Sequence, residues 1–170
     1  MNFRDLTKDD IEVRVQSVKK NGLILLLYKN ARVDMNILDE TVGAENWQRE
    51  HYECKGNLFC RVGINVDAKV ADFPPRWIWK SDCGVESNTE AQKGEASDSF
   101  KRACFNWGIG RELYTSPFIW ISAENCKIED GKCWDKFEVE KIKIENKRIV
   151  GLAITNVTQK KRCFVWTAEK

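Results

Sequence analysis

The stretch Gly94–Gly110, GEASDSFKRACFNWGIG, decides how the chain is read. Ala96, Phe100, Ala103, Cys104 and Trp107 recur at the spacing of one helical face, and Gly108 follows where a helix would stop. Lys101 and Arg102 stand side by side among these apolar residues and fall to the flank of the stripe. Read backward, the pattern reaches about Ser87, where Asn88 or Thr89 could cap the start. The stretch therefore predicts one long helix, from about Ser87 to Trp107, with an apolar face for a sheet and a cationic pair beside it.

Upstream of the helix the pattern is β. Ile11–Val18 (IEVRVQSV) alternates apolar and polar residues, and Leu23–Lys29 (LILLLYK) follows the turn pair Asn21-Gly22. Arg32–Gly43 then places Val33, Ile37, Leu38 and Val42 on a helical stripe. Trp47–Cys54 and Leu58–Asp67 read as strands joined by Lys55-Gly56-Asn57, and Arg76–Asp82 as a third after Pro74-Pro75. Trp77 and Trp79 share a face of that strand and are expected to be buried. Beyond Pro117 the chain reads as irregular. It closes with a strand through Phe137, Val139 and Ile142–Ile144, a turn at Glu145-Asn146-Lys147, a return over Ile149–Val157, and the stretch KKRCFVW. The fold class is α+β: an antiparallel β-β-β-α core with the long helix packed on the sheet, plus a small C-terminal β appendage. One domain is expected, with a core over about 9–122 and the appendage over about 133–167.

Composition removes several classes. The 170 residues carry a net charge of only +2, so no strongly basic chain announces nucleic acid by charge alone. No apolar run approaches the roughly 20 residues of a membrane helix, and MNFRDLTKDD lacks the positive-then-apolar order of a signal peptide, so a cytoplasmic protein is expected. The seven cysteines form no Cys-x-x-Cys pair and His51 is the single histidine, so reduced, mostly buried thiols are expected rather than a metal site. GIGRE at Gly108 follows a helix and has no P-loop lysine. His51, in the polar stretch QREHYE, reads as a surface residue rather than a catalytic base. Asp67, Asp72, Asp82, Glu86, Glu95 and Asp98 make no recognisable spaced set for divalent ions. Neither an enzyme nor a cofactor is expected.

Two features favour single-stranded nucleic acid. Cations sit on well-structured elements: Arg32 on the first helix, Arg61 and Lys80 in strands, and Lys93, Lys101 and Arg102 on the long helix. Aromatic residues are abundant, with 7 Trp, 8 Phe and 3 Tyr. Cations along the backbone and flat rings against bases are how a single strand is held. Taken alone, these residues leave both readings open: Lys101-Arg102 could be a solvated face, and Arg32 could pair with Asp34.

Whole blocks of the sequence say more. KGEASDSFKRACFNWGIG resembles the signature helix of the Rad52/Rad22-type single-strand annealing family, including its phage and prophage Sak-type members. YKNARVDMNILDETVGAENWQ (Tyr28–Gln48) resembles that family's first helix and the approach to a tryptophan strand. LFCRVGI (Leu58–Ile64) and WKSDCG (Trp79–Gly84) match the strands between, in the same order, so the resemblance covers about Asp9 to Tyr114. It implies a β-β-β-α core assembling into a ring or helical filament, with single-stranded DNA gripped by its backbone in a positive groove and bases turned outward. It further implies annealing without ATP or a metal ion. Lys101 and Arg102 match the family's adjacent basic pair on the DNA backbone, and Arg32 matches an arginine lining the same groove. Where the family often carries another basic residue one turn on, this chain has Phe105, and the lysine of the family's outer DNA site has no clear match.

The expectation is thus a single-stranded DNA-binding, strand-annealing recombination protein acting as a homo-oligomer in phage recombination or double-strand break repair. A single-strand-binding protein or an exonuclease would be its possible partner. The alternatives are a single-strand-binding protein without annealing activity, a metal-dependent nuclease, and a purely structural ring protein. The long helix argues against the OB barrel usual in the first of these.

Overall fold

The computed structural model describes residues 1–68, 74–84 and 91–169, with residues 91–93 described in their backbone only. The expected caps Asn88 and Thr89, the expected helix start at Ser87, and the acidic residues Asp72 and Glu86 lie outside the described residues. In chain order the elements are β1 (Glu12–Lys19), β2 (Gly22–Tyr28), α1 (Ala31–Val42), β3 (Trp47–Cys54), β4 (Asn57–Asn65), β5 (Trp77–Cys83) and α2 (Ala91–Trp107). Then follow β6 (Ile119–Ser122), β7 (Ile128–Glu129), β8 (Lys132–Cys133), β9 (Phe137–Glu145), β10 (Arg148–Asn156) and β11 (Lys161–Thr167). The class is α+β with antiparallel sheets, as the sequence predicts. No described helix is long and apolar enough to cross a membrane.

The chain forms two compact units, each discontinuous: Met1–Arg4 with Asn30–Gly110, and Asp5–Lys29 with Arg111–Lys170. The first holds the β-β-β-α core, an antiparallel sheet in the order β3-β4-β5 with α2 packed on it. The turn joining β3 and β4 has Lys55 and Gly56 at φ 54° and 75°, the left-handed pair that a two-residue hairpin needs. Alternation along β4 puts Cys60, Val62 and Ile64 on one face, all three at 0% exposure. Phe100, Ala103 and Cys104 of α2, also at 0%, cover that face. The Trp47 ring stacks 6.1 Å from Phe100, and the Arg49 guanidinium lies 4.7 Å from the Phe100 centroid.

Polar groups tie helix and sheet together where the apolar stripe ends. Trp107 Nε1 donates to the Val62 carbonyl at 3.0 Å. Lys80 Nζ donates to the Asn106 carbonyl at 2.8 Å and lies 4.6 Å from the Trp107 centroid, a cation at the helix C-terminus where the last carbonyls need partners. Glu95 Oε1 accepts the Leu58 amide at 3.0 Å. At the end of β5, Gly84 approaches α2 so closely that a Cβ would lie 2.3 Å from the Glu95 carbonyl oxygen; a side chain there would push the strand off the helix. His51, expected at the surface, is instead half-buried, and its Nε2 lies 3.0 Å from the Ala96 carbonyl oxygen. It points inward because it alternates in register with Arg49 and Trp47 on the helix side of β3.

The sequence places α1 correctly to within a residue. Asn30 Oδ1 accepts the Arg32 amide at 2.9 Å and caps the start. Val33, Ile37, Leu38 and Val42 are its buried stripe.

In the second unit, β1 and β2 form the predicted hairpin, but it does not run on into the β3-β4-β5 sheet. Its third strand is β6, giving the order β1-β2-β6. Ile119–Ser122 lies in the region read from the sequence as irregular. Four residues are too few for periodicity to declare a strand. The strand exists because Ile119 and Ile121 bury beside Leu23 and Leu25, their cross-strand partners on β2. The C-terminal strands form a separate sheet, β11-β10-β9, with Asn146 and Lys147 in the turn at φ 51° and 60°. All seven cysteines are free thiols; Cys60, Cys104 and Cys126 are buried and Cys54 is exposed.

Across the C-terminal sheet, Glu140 accepts Arg162 Nε at 2.7 Å and Thr155 Oγ1 at 2.9 Å. The Arg162 hydrogen bonds first, then Thr155, pull its carboxyl from 4.5 to about 2. A depressed carboxylate stabilises the fold above its ordinary pKa and loses that contribution as pH falls through the folded value. Two outcomes are expected. Acid titration followed by circular dichroism should show a loss of stability between about pH 4.5 and 2 that Glu140→Gln removes. Phe100→Ala should destabilise the protein by about 3–5 kcal/mol in urea unfolding, because the ring fills the space between sheet and helix.

Candidate nucleic-acid interface

The six cations singled out in the sequence do not form one surface. Adjacent residues on a helix point about 100° apart, so Lys101 and Arg102 leave α2 on different flanks. Arg102 turns toward β5, where Nε meets Asp82 Oδ1 at 3.3 Å, with the Arg102 side chain 41% exposed. Asn106 lies on the same flank and donates to the Ser81 carbonyl at 3.0 Å and to Asp82 Oδ2 at 3.4 Å. Asp82 is thus held by one neighbour while it orients the other. The ion pair engages the guanidinium through Nε, and among the described residues the Nη fork has no partner, so it is available for an oxyanion. Lys101 pairs loosely with Asp98, one turn back, at 3.9 Å.

Lys80 shares the β5–α2 seam, but its ammonium caps α2 and packs on Trp107. Arg32 stands exposed in the first turn of α1, and no ion pair joins it to Asp34, which is fully buried. Lys93 is in the first turn of α2, and its side chain is outside the described residues.

Arg61 is on the other side of the sheet. Its register partners Glu50 and Ser81 alternate with the residues that face α2. Its guanidinium pairs with Glu50 Oε2 at 2.6 Å and lies 4.7 Å from the Trp79 centroid. Trp77 and Trp79 are on this face too, half-buried rather than in the core, with ring centroids 6.3 Å apart. The sequence shows that they share a face; only the register shows that α2 lies on the opposite one.

Of the carboxylates weighed for metal chemistry, the four described ones, Asp67, Asp82, Glu95 and Asp98, have partners within the fold. Asp67 binds Arg76 at 2.8 Å, and that guanidinium holds its carboxyl below the usual range. Asp82 orients Arg102, and Glu95 caps the β4 amide. Among the described residues no three of His, Cys, Asp and Glu are placed to hold a metal ion. The Cys60 thiol, buried under α2, is pushed up to about 11 by loss of solvent, so it is a packing group and a poor nucleophile. Sequence reasoning missed Asp82 and Asn106 as the groups that orient Arg102. Asn106, four residues on, is a helical neighbour of Arg102, but Asp82, 20 residues away, joins them only because β5 packs against α2.

The arrangement offers a rigid helix with two cations, one of them keyed by a carboxylate, and no assembled catalytic set among the described residues. No curated protein and no solved structure matches the chain. A family model described as "Rad52/22 family double-strand break repair protein" matches residues 3–133, more than half of the 170, spanning the β-β-β-α core and ending before the C-terminal sheet. The cationic helix on its three-stranded sheet is therefore set within a match that extends the resemblance carried by the sequence blocks, and the chain belongs to the Rad52/22 family of double-strand break repair proteins.

Proposed function

We propose that this protein anneals complementary single strands, gripping the sugar-phosphate backbone with Lys101, Arg102 and Arg32. Membership of the family carries DNA recombination and repair, with strand annealing in general. The observation that supports the specific site is the anchoring of α2. Phe100, Ala103 and Cys104 fix the helix to the sheet, and Asp82 orients Arg102 on it, so the α2 backbone that carries both cations, and the Arg102 side chain itself, are positioned before DNA arrives. Side chains ordered in advance lose less entropy on binding. Annealing makes and breaks no covalent bond, so the reaction proposed is base pairing alone, with neither ATP nor a metal ion and no enzymatic step. The assembly is a homo-oligomeric ring or filament of a phage or prophage Sak-type member, acting in the cytoplasm of a bacterial host.

The decisive experiment follows annealing of two complementary labelled oligonucleotides with EDTA present and no nucleotide. Acceleration over the spontaneous rate is expected. Lys101→Ala with Arg102→Ala should leave the fold intact by circular dichroism while weakening single-strand binding. The slope of log affinity against log salt should flatten by roughly 0.7 for each phosphate that the variant no longer neutralises. Normal annealing by the double variant would remove the site. Binding without acceleration would make the protein a single-strand-binding module, and strand loss that requires magnesium would make it a nuclease.

A further inference from the structure

The sheet of the first unit has two faces of different character. α2 covers the face of Cys60, Val62 and Ile64. The opposite face carries, in register, Tyr52 beside Phe59, then Glu50, Arg61 and Ser81, then Gln48, Gly63 and Trp79, then Asn65 and Trp77. An antiparallel sheet with one face on a helix ordinarily turns polar residues outward on the other. Here four aromatic rings occupy that position. Among the described residues, α1 and α2 are the helices of this unit with the main packing on the sheet, and both lie on the other side: Trp47, which α1 holds through Asp39 at 2.6 Å, shares its face with the residues under α2.

The rings are arranged rather than scattered. Tyr52 and Phe59 stack at 5.6 Å, with Tyr52 37% exposed. Trp79 lies flat on β4 because Gly63 has no side chain; a Cβ there would be 2.8 Å from the indole. Trp77 follows at 6.3 Å. The Arg61 guanidinium, 4.7 Å from the Trp79 centroid, stands on β4 between Phe59 and Gly63. Its charge is matched by Glu50, so this face is nearly neutral and poorly suited to gripping phosphates. Flat rings and a guanidinium plane are suited to the faces of bases, which every nucleotide presents regardless of sequence. The 6.3 Å step between indoles is close to twice the roughly 3.4 Å per-nucleotide rise of a duplex strand, so a stretched single strand can set successive bases against them.

We propose that the face of the β3-β4-β5 sheet turned away from α2 is a base-stacking surface for single-stranded DNA, built from Tyr52, Phe59, Trp77 and Trp79 with Arg61 among them. It is separate from the phosphate-gripping cations on α2, and it rests on the reading of the protein as a single-strand binder. The division of labour is physical: one face of the core engages the charged backbone and is sensitive to salt, the other engages bases and is not.

The test compares an oligothymidylate with an abasic oligonucleotide of the same length and charge, by fluorescence anisotropy at low and raised salt. The wild-type protein should prefer the oligothymidylate by about tenfold or more, the scale of one well-stacked base, and the preference should survive added salt. Trp77→Ala should shrink the preference while leaving abasic binding unchanged; Tyr52→Ala serves in its place if that variant does not fold. Lys101→Ala with Arg102→Ala should weaken both oligonucleotides alike. Equal affinity of the wild type for the two oligonucleotides overturns the proposal and leaves the phosphate-binding reading standing. An intact preference in Trp77→Ala, with a smaller assembly by sedimentation, overturns it in favour of a second copy of the chain on this face. Binding of neither oligonucleotide removes the single-strand reading itself, and this surface with it.

Discussion

The ring of Phe100 is the contact on which the first unit depends. It is fully buried between α2 and the sheet, with Trp47 stacked on it and the Arg49 guanidinium over it. Burying one phenylalanine contributes about 1.5–3 kcal/mol relative to leaving it in water, but its larger effect is geometric. It fixes which face of the sheet α2 covers, and so which residues of β3, β4 and β5 point outward. Lys80 can reach the end of α2, and Asp82 can reach Arg102, only in that register.

From this follows the contrast between the two faces. On the helix side, polar groups are paired within the fold: Lys80 with the Asn106 carbonyl, Arg102 with Asp82, the His51 ring with the Ala96 carbonyl. Among the described residues Arg102 keeps its outer fork, because Asp82 engages Nε alone. On the other side a glycine lets an indole lie against the strand, and the one arginine is neutralised by a neighbouring glutamate. A modest net charge of +2 is compatible with DNA recognition when a few cations are placed rigidly instead of many being spread over the surface.

The second unit shows a different balance. Its hairpin β1–β2 is local and strongly patterned, yet its sheet is completed by the four-residue β6 from the far side of α2 in sequence. Its C-terminal sheet lies beyond the stretch that matches the family, and is held by alternation along β9 and β10 and by the Glu140–Arg162–Thr155 cluster across three strands.

Much of this was legible in the sequence, for a definite reason. Elements with many periodic residues and their own end signals, such as α1 with Asn30 and Gly43, the β3–β4 hairpin with Lys55-Gly56, and α2 with its Ala96-to-Trp107 stripe, are specified by local chemistry. The ordered blocks around the Lys101-Arg102 pair were enough to reveal the family. What the sequence could not carry was every feature that depends on which residues meet across long separations. The strand at Ile119 needed Leu25 beside it; the inward turn of His51 and the outward turn of Trp77, Trp79 and Arg61 needed the side on which α2 packs. Alternation tells which residues share a face, since successive side chains in a strand point opposite ways. It does not tell which face will be buried, and that was decided when Phe100 closed on Val62 and Ile64.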